Sequence, residues 1–374
     1  MIVVVTPNPD TPAETYIRQH IRLINPKKTS VVFFQGNGLA VKAFPSLKIS
    51  NSKNTLFDKC SKLYHYIFWG YPGIISGDDL KVLKHFFKEH QVQSVFAEFG
   101  PTGCALMKIC KQMNLRLVVN FHGHDATVMP KRNLIKRAYR FLNKNADAFV
   151  CGSKHFKKVV ASIGITEHKI SVVPCGIEID TFDFPNVNKD PNLVVAVGRF
   201  TEKKAPHLTI KAFAKVITSC PNARLEMIGG GQLFEKCQNL IQDLKIENNV
   251  ILHGVQSHEF VKNKLALASV FVQHSIVASS GDTESQGISL LEAMAASIPL
   301  VVTDHNGFKE TVIDGETGYL VKERDIDSMA KKIVFLLKND SLRNKMGVSG
   351  KQRINEYYDS KKLARKLKLI LNCK

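Results

Sequence analysis

The chain has 374 residues and a mass of 41.8 kDa, which is too long for one ordinary hydrophobic core and predicts two domains. A hydrophobic content of 44% and a charged content of 23% are normal for a globular protein. The formal net charge of +19 predicts an anionic partner, and residues 1–187 carry most of it, with 25 Lys and Arg against 13 Asp and Glu. We favour an anionic inner membrane surface over nucleic acid, because the sequence shows no recognisable nucleic-acid-binding motif.

The sequence predicts a cytoplasmic protein with reduced thiols. Residues 1–7 lack the basic start of a signal peptide and resemble a buried strand. No apolar run approaches the ~18 residues that span a bilayer, so we expect membrane association to be peripheral. The cysteines form no C-x-x-C pair, which favours buried free thiols over a disulfide or zinc framework; they occupy positions 60, 104, 110, 151, 175, 220, 237 and 373.

Short apolar runs alternate with helical patterns along the first half, and this alternation predicts a parallel sheet covered by helices on both faces. Ligands of such sheets bind in the loops beyond the carboxyl ends of the strands. The predicted strands cover residues 1–6, 30–34, 94–97, 115–121 and 148–151, and the predicted helices cover residues 13–23, 79–90, 103–113 and 131–144.

Two loops of the first half contain candidate site residues. In the first, Glu14 fits either a ligand hydroxyl or the positive start of the helix that follows. The second contains His122, His124 and Asp125. These three side chains would need a fourth ligand from elsewhere to hold zinc, and no helical H-x-x-x-H spacing is present, so the pattern does not favour a metal site.

Residues 131–144 predict an amphipathic helix with a strongly basic side. Leu134, Ala138, Phe141 and Leu142 share one apolar stripe. Two interpretations stay open: the helix lies on anionic lipid, or it buries its apolar stripe in the core and exposes its basic side to water.

The second half restarts the alternation with a strand at residues 193–197, and the loop after it contains Arg199 and Lys204. Arginine binds two phosphate oxygens at once and lysine adds a compact positive charge, so the pair predicts a diphosphate site. The alternative is a solvated loop. Two further predicted strands lead into loops that contain Gly230 and Val255.

Residues 281–295 change from small and polar residues to strong helix formers, which predicts a loop feeding a helix that begins near Gly287. The first amides, including that of Ile288, would have no partner within the helix and would attract an anion. Glu284 and Glu292 bracket this position, where carboxylates suit sugar or ribose hydroxyls. The alternative is that Glu284 caps the helix and Glu292 is a solvated surface residue.

Asp325 and Asp327 form a D-x-D pattern, which in another class of proteins holds a metal. Here the pattern precedes a predicted helix at residues 328–337. We therefore interpret Asp325 as a helix cap and Asp327 as a first-turn acid.

Several motifs resemble those of the retaining glycosyltransferases of family 4. Residues 284–295, 298–302 and 315–321 resemble the family's C-terminal signature, with Gln286 where an aromatic residue is frequent. The loop of Arg199 and Lys204 resembles a G-R-x-x-x-x-K-G motif, and residues 121–126 resemble an H-G-x-D loop.

The resemblance implies the GT-B fold: α/β, with two Rossmann-like, doubly wound parallel-sheet domains facing across a cleft and a C-terminal helix crossing back to the first domain. It implies an acceptor-binding domain at residues 1–185, a nucleotide-sugar-binding domain at residues 190–355 and the returning helix at residues 356–374. The stretch at residues 183–191 is rich in Asn, Asp and Pro and is predicted to be the linker.

The resemblance also implies residue roles. It sets His122 beside the reacting carbon of the donor sugar and gives Asp125 the task of orienting the loop or a hydroxyl. It sets Gly230 near the donor, Val255 near the base and Glu14 beside the acceptor.

Together these features predict a retaining, metal-independent glycosyltransferase with no cofactor beyond its donor. The donor would be a nucleoside diphosphate sugar, with a UDP-sugar preferred and a GDP-sugar possible. The acceptor would be a lipid-linked saccharide or an oligosaccharide in the synthesis of bacterial exopolysaccharide, capsule or lipopolysaccharide. Two alternatives stay open: a sugar-phosphate-forming or epimerising enzyme of the same fold, and a non-catalytic nucleotide-sugar-binding protein.

Overall fold

The structure is a computed structural model that describes residues 1–11, 14–49, 56–184 and 187–372. The chain divides into two compact units, which we call unit 1 (Met1–Cys175 and Ser360–Lys374) and unit 2 (Gly176–Asp359). Part of the predicted loop that contains Glu14, part of the predicted linker and the cysteine at position 373 lie outside the described residues.

The described part of unit 1 contains a parallel sheet in the strand order β3-β2-β1-β4-β5-β6-β7. This order starts from a central strand and proceeds outwards in both directions, as in a doubly wound fold. The strands are β1 (Ile2–Thr6), β2 (Thr29–Phe33), β3 (Ser46–Lys48), β4 (Ser94–Glu98), β5 (Arg116–Phe121), β6 (Ala148–Cys151) and β7 (Ile170–Val172). The helices are α1 (Thr15–Leu23), α2 (Leu56–Trp69), α3 (Gly77–Glu89), α4 (Gly100–Met113), α5 (His124–Thr127), α6 (Asn133–Asn145) and α7 (Lys154–Ser162).

Helices cover both faces of the unit 1 sheet, because side chains alternate between the two faces along each strand. Ala97 of β4 packs in the core formed with α4. Its neighbour Phe96 faces the other way and lies edge-on to His20 of α1, with ring centroids 5.5 Å apart. On that second face Ser94 Oγ donates a hydrogen bond to the carbonyl of Leu371 at 2.6 Å. Leu371 belongs to α15 (Ser360–Asn372), so the C-terminal helix packs on the first sheet, as the resemblance implies.

The described part of unit 2 contains a second parallel sheet, in the order β10-β9-β8-β11-β12-β13. Val194 and Val195 are adjacent and both buried, yet they belong to separate apolar clusters, as expected of a strand covered on both faces. The strands are β8 (Leu193–Val197), β9 (Arg224–Ile228), β10 (Val250–Leu252), β11 (Val270–Gln273), β12 (Leu300–Thr303) and β13 (Gly318–Val321). The helices are α8 (Pro206–Ser219), α9 (Phe234–Asp243), α10 (His258–Leu267), α11 (Ile288–Ala295), α12 (Phe308–Thr311), α13 (Ile326–Leu337) and α14 (Asp340–Tyr357).

The chain passes from unit 1 to unit 2 between Cys175 and Gly176, earlier than the predicted linker at residues 183–191. The described residues of that stretch belong to unit 2. The Lys189 ammonium, for example, donates to the carbonyls of Ala268 and Ala296 at 3.2 and 3.0 Å. A composition rich in Asn, Asp and Pro therefore marks an irregular segment here, and the boundary itself lies upstream.

Among the described helices, none combines the length and the apolar character that crossing a bilayer requires.

Candidate functional site

Three loops of unit 2 lie side by side at the carboxyl ends of β8, β9 and β10. The Phe200 amide donates to the Gly230 carbonyl at 2.9 Å, and the Gly229 amide donates to the Gly254 carbonyl at 2.8 Å. A Cβ at Gly229 (φ +139°) would lie 2.0 Å from the carbonyl oxygen of Gly198, so only glycine permits this approach. A Cβ at Gly230 would lie 2.8 Å from Val255. The structure therefore brings the predicted residues Gly230 and Val255 next to the loop that contains Arg199.

Arg199 and Lys204 line one pocket, together with Gly198 and Gln273. The Lys204 ammonium lies 2.8 Å from the carboxylate of Glu284, and both side chains are largely buried. The sequence predicted both ends of this ion pair, although they are far apart along the chain. The structure thus brings a cation predicted to hold phosphate directly against a carboxylate predicted to hold a sugar hydroxyl.

The charges at this pocket shift the ionisation of both partners. Burial alone would raise the pKa of Glu284, but the positive charges of Lys204, Lys203 and Arg199 and the hydrogen bond from Lys204 outweigh it and lower the pKa to about 2. The pKa of Lys204 is also lowered, because burial and the neighbouring cations Lys203 and Arg199 outweigh the attraction of Glu284. Positive charge is therefore in excess around Glu284, which suits the binding of an anion.

A second buried lysine orders the loop that precedes Glu284. Lys203 Nζ lies 3.3 Å from Asp282 Oδ1 and 3.3 Å from the Thr283 carbonyl. Lys203 therefore supports the loop, while its neighbour Lys204 reaches Glu284.

The backbone of Glu284 is held by a chain of polar contacts that the sequence did not predict. The Glu284 amide donates to His305 Nε2 at 3.1 Å, and Asn306 Nδ2 donates to the Glu284 carbonyl at 3.0 Å. Because Nε2 accepts, the His305 proton must sit on Nδ1, which lies 2.5 Å from Glu323 Oε1. The other Glu323 oxygen accepts from the amide of Val277 at 3.1 Å. One carboxylate thus fixes both sides of the loop that presents Glu284.

Helix α11 begins at Ile288, directly after Gly287, as the sequence predicts. Gly287 has φ +77°, and a Cβ there would lie 2.7 Å from the Phe308 ring, so this helix start requires glycine. Ser289 Oγ donates to Gln273 Oε1 at 3.1 Å and ties the helix to a residue that lines the Arg199 pocket. The helix start therefore lies close to the predicted phosphate site.

Glu292 lies on α11 and is buried, which removes the alternative of a solvated surface residue. Its Oε1 atom lies 3.3 Å from Nε2 of His258, a half-exposed histidine at the start of α10. The sequence analysis did not predict this contact, because 34 residues separate His258 from Glu292.

In unit 1, Asp125 organises the loop after β5. Its Oδ1 atom accepts from the amides of His122 and Gly123, both at 3.0 Å, and its Oδ2 atom accepts from the amide of Gly100 at 2.9 Å. Of the two roles that the resemblance implied for Asp125, the structure shows that of orienting the loop. His124 is the first residue of the short helix α5.

His122 is held by a buried carboxylate. Its Nε2 atom lies 2.7 Å from Oε2 of Glu98, and the other oxygen of Glu98 lies 2.6 Å from Nδ1 of His20. Asn120 Nδ2 donates to Glu98 Oε2 at 3.0 Å, and the ring of Tyr16 lies 4.6 Å from that of His122. The predicted catalytic histidine is thus fixed in one orientation.

The Glu98 carboxylate also controls protonation here. Burial alone would raise the pKa of Glu98, but the positive charge on His20 and the hydrogen bonds from both histidines lower it to about 2. Burial alone would lower the pKa of His122, but its hydrogen bond to Glu98 and the charges of Glu98, Asp125 and Glu14 outweigh burial and raise it. Glu14 therefore lies within electrostatic range of His122, although its role toward an acceptor stays a prediction.

The structure confirms the prediction for the start of α13 and corrects the prediction for the apolar stripe of α6. Asp325 caps α13 by accepting from the Ser328 amide at 2.9 Å, and Asp327 forms an ion pair with Lys215, so the interpretation of the D-x-D as a helix start is confirmed. In α6 the predicted stripe is wrong in part: Leu134 is exposed. The helix instead buries Ile135, Ala138, Tyr139 and Leu142.

Comparison with known proteins agrees with the fold and the motifs. The family model Glycosyl transferases group 1 matches residues 178–353, and the model Glycosyltransferase Family 4 matches residues 56–181. WcaL of Salmonella typhimurium, named for colanic acid biosynthesis, is 28% identical over 288 residues, which cover 75% of this chain and 70% of WcaL. A GDP-mannose-dependent alpha-(1-6)-phosphatidylinositol monomannoside mannosyltransferase of Mycolicibacterium smegmatis is 26% identical over 284 residues, which cover 72% of this chain and 73% of that protein.

The fold is also that of a solved structure. The crystal structure of Anabaena Alr3699/HepE in complex with UDP and glucose matches 98% of this chain and 97% of its own with a TM-score of 0.78, at 15% sequence identity. The matched sequence regions run together from residue 56 to residue 353, and each sheet has the strand order of a Rossmann-like domain. The chain therefore belongs to the family 4-like glycosyltransferases of the GT-B fold.

Proposed function

We propose that the protein transfers a sugar, with retention of anomeric configuration and without a metal, from a nucleoside diphosphate sugar to a lipid-linked saccharide in the synthesis of a bacterial surface polysaccharide. A UDP-sugar is the preferred donor, and a GDP-sugar is the second candidate. The relative named for colanic acid biosynthesis and the HepE complex with UDP and glucose support the class of product and donor. The GDP-mannose-dependent relative is the reason to test a GDP-sugar as well.

One observation carries the proposal: Lys204, which lines a pocket together with Arg199, lies 2.8 Å from Glu284, and positive charge is in excess around that carboxylate. In our proposal the two cations hold the diphosphate and stabilise the negative charge that develops on it as the glycosidic bond breaks. The amides of Gly287 and Ile288 at the start of α11 add hydrogen bonds to the same phosphate. No step requires a metal to balance that charge.

The carboxylates bind hydroxyls in this scheme. Glu284 accepts from hydroxyls of the donor sugar, because the His305 and Asn306 contacts hold its backbone in place. Glu292 accepts from the ribose hydroxyls, with Gly230 and Val255 near the rest of the nucleoside. On unit 1, His122 contacts the donor sugar, and Glu14 contacts the acceptor.

Retention follows from attack on the face of the sugar that the phosphate leaves. The bond between the acceptor oxygen and the anomeric carbon forms as the bond to the phosphate oxygen breaks, and the acceptor proton passes to the leaving phosphate. The alternative is a covalent intermediate on a carboxylate. The only carboxylate assigned to the sugar here, Glu284, is held by Lys204 at 2.8 Å, which favours a role in binding hydroxyls.

A ligand panel tests the proposal directly. In thermal-shift measurements with UDP-, GDP- and ADP-sugars, the sugars of one nucleoside diphosphate should raise the unfolding temperature more than the others. Turnover with that donor and a lipid-linked acceptor should persist in EDTA and give a product of the donor's anomeric configuration. A strict metal requirement, an inverted product or release of a free sugar phosphate would each contradict the mechanism.

A further inference from the structure

The net charge of the chain lies entirely on one of the two units. Unit 1 contains 31 Lys and Arg against 10 Asp and Glu, a net charge of +21, whereas unit 2 contains 21 against 23, a net charge of −2. Division of the sequence into halves understated this asymmetry, because the basic C-terminal helix belongs to unit 1. A partner recognised by charge therefore binds unit 1.

Helix α2 presents an unusual apolar surface on that basic unit. Five large apolar side chains within six consecutive positions are exposed, whereas only His65 among these positions is buried. Leu63 and Phe68 are 60% and 61% exposed, although such side chains are usually buried in a soluble domain. The exposed residues are Leu63, Tyr64, Tyr66, Ile67 and Phe68.

Cationic side chains from neighbouring helices surround this apolar surface. Arg137 of α6 lies 4.9 Å above the Tyr66 ring and donates to the Ile67 carbonyl at 3.3 Å. Lys108 of α4 lies 5.7 Å from the Tyr64 ring, and Lys111 lies 5.8 Å from the Trp69 ring. Helix α6 contributes further exposed cations and no acidic residue; they are Lys136, Arg140 and Lys144.

We propose that α2, with the basic side of α6, docks unit 1 onto an anionic lipid surface: Leu63, Ile67 and Phe68 enter the acyl boundary while the surrounding cations bind headgroup phosphates. Apolar residues beside basic ones are the combination that holds a helix in the membrane interface. A second copy of the chain would meet the same +21 charge on its own unit 1, so charge complementarity favours lipid. This inference rests on the proposed function, because the membrane in question is the one that would hold the lipid-linked acceptor.

The sequence contains a single tryptophan, Trp69, and it lies on α2 beside Phe68. The full chain is mixed with vesicles of phosphatidylcholine and phosphatidylglycerol, with or without bromine on the acyl chains. Brominated anionic vesicles should quench Trp69 fluorescence, and raised salt or vesicles of phosphatidylcholine alone should abolish the quenching. Absence of quenching in anionic vesicles to which the protein sediments would overturn the role of α2.

Matched variants test whether the exposed apolar side chains of α2 contribute to vesicle binding. Leu63→Ser with Phe68→Ser should weaken sedimentation with anionic vesicles at least about tenfold. Leu369→Ser is the control, because Leu369 is 68% exposed on α15, which packs on the opposite face of the same sheet. Equal loss in both, or in neither, would refute the assignment, and circular dichroism verifies folding of each variant.

Two further readouts separate this inference from the proposed function. UDP-induced thermal stabilisation should be unchanged in the α2 variant, because unit 2 contains the proposed diphosphate site. Vesicle binding without any nucleotide binding would refute the proposed function alone. A concentration-dependent dimer that the α2 variant abolishes, with no vesicle binding by the wild type, would identify a second copy as the occupant and overturn the lipid assignment.

Discussion

The Nε2 atom of His122 lies 2.7 Å from Oε2 of Glu98, a carboxylate with no exposed surface. Glu98 ends β4 at the point where the strand order of unit 1 reverses, between β1 and β4, and His122 follows the next strand along the sheet. The carboxyl ends of neighbouring strands at such a reversal meet where doubly wound sheets bind ligands. The pair thus occupies the position at which this architecture places its functional groups.

The first prediction concerns the ionisation of His122. Glu98→Gln removes the negative charge that holds the proton on this ring, so burial should dominate and the pKa of His122 should fall. We expect the ¹⁵N NMR titration of His122 to move to lower pH and kcat to fall on the order of 10- to 100-fold through loss of positioning. The exposed His85 in the same unit is the internal control, and an unmoved His122 titration would show that Glu98 does not set its charge.

The second prediction concerns the diphosphate. Lys204→Ala removes a charge-assisted contact of about 1.5–3 kcal/mol, so affinity for UDP should fall roughly 10- to 150-fold in calorimetry. Lys211→Ala provides the matched control, because Lys211 is exposed on α8 outside the pocket. Near-wild-type affinity in the Lys204 variant would remove the phosphate assignment.

The same variant has a consequence for stability. Glu284 would lose the nearest of the cations that keep it ionised, so its pKa should rise toward its usual range. Breaking a buried pair destabilises a fold, and thermal unfolding of the free protein should occur at a lower temperature than in the Lys211 control.

Local sequence patterns were sufficient to predict the central strands but not the periphery of unit 1. Strand β4 is fully buried and reads as one apolar run, so its position was predicted within a residue. The edge strand β3 is only three residues long and mostly exposed, which leaves no apolar run to detect. Helix α2 was missed because its exposed aromatic residues interrupt the apolar–polar alternation that marks a helix packed on a core.

Site residues were predicted where a single segment contains the functional side chains. They were missed where side chains from two distant segments meet. Arg199, Lys204 and Glu284 stand in loops whose residue types suit phosphate and hydroxyls. His20 and Glu98 are 78 residues apart and meet only because β1 and β4 are neighbours in the sheet. An acidic residue at the end of an otherwise apolar strand was the one available signal for Glu98.

The third prediction concerns the support of Glu284. His305→Ala leaves the Glu284 amide without its acceptor, which costs about 1–3 kcal/mol for a buried donor and loosens the loop. Because Arg199 and Lys204 are untouched, we expect kcat to fall while the affinity for UDP changes little. Lys309→Ala is the control, since Lys309 is half-exposed nearby and pairs with Asp304 on the surface. A fall in UDP affinity equal to the fall in kcat would show that His305 supports the phosphate site instead.

The fourth prediction concerns acid stability. The pKa of Glu98 is about 2 in the folded chain, below its ordinary value of 4.5, so the ionised group stabilises unit 1 above pH 4.5, and this stabilisation is lost as the pH falls toward 2. Urea unfolding followed by the fluorescence of Trp69, which lies in unit 1, should show a free energy of unfolding that decreases between about pH 5 and pH 3. Below the lowered pKa of His122, this decrease should be smaller in Glu98→Gln, because the carboxyl group that titrates there is absent. Glu167→Gln removes an exposed carboxylate from the same unit and should retain the wild-type slope; equal slopes in all three proteins would mean that folding does not lower the pKa of Glu98.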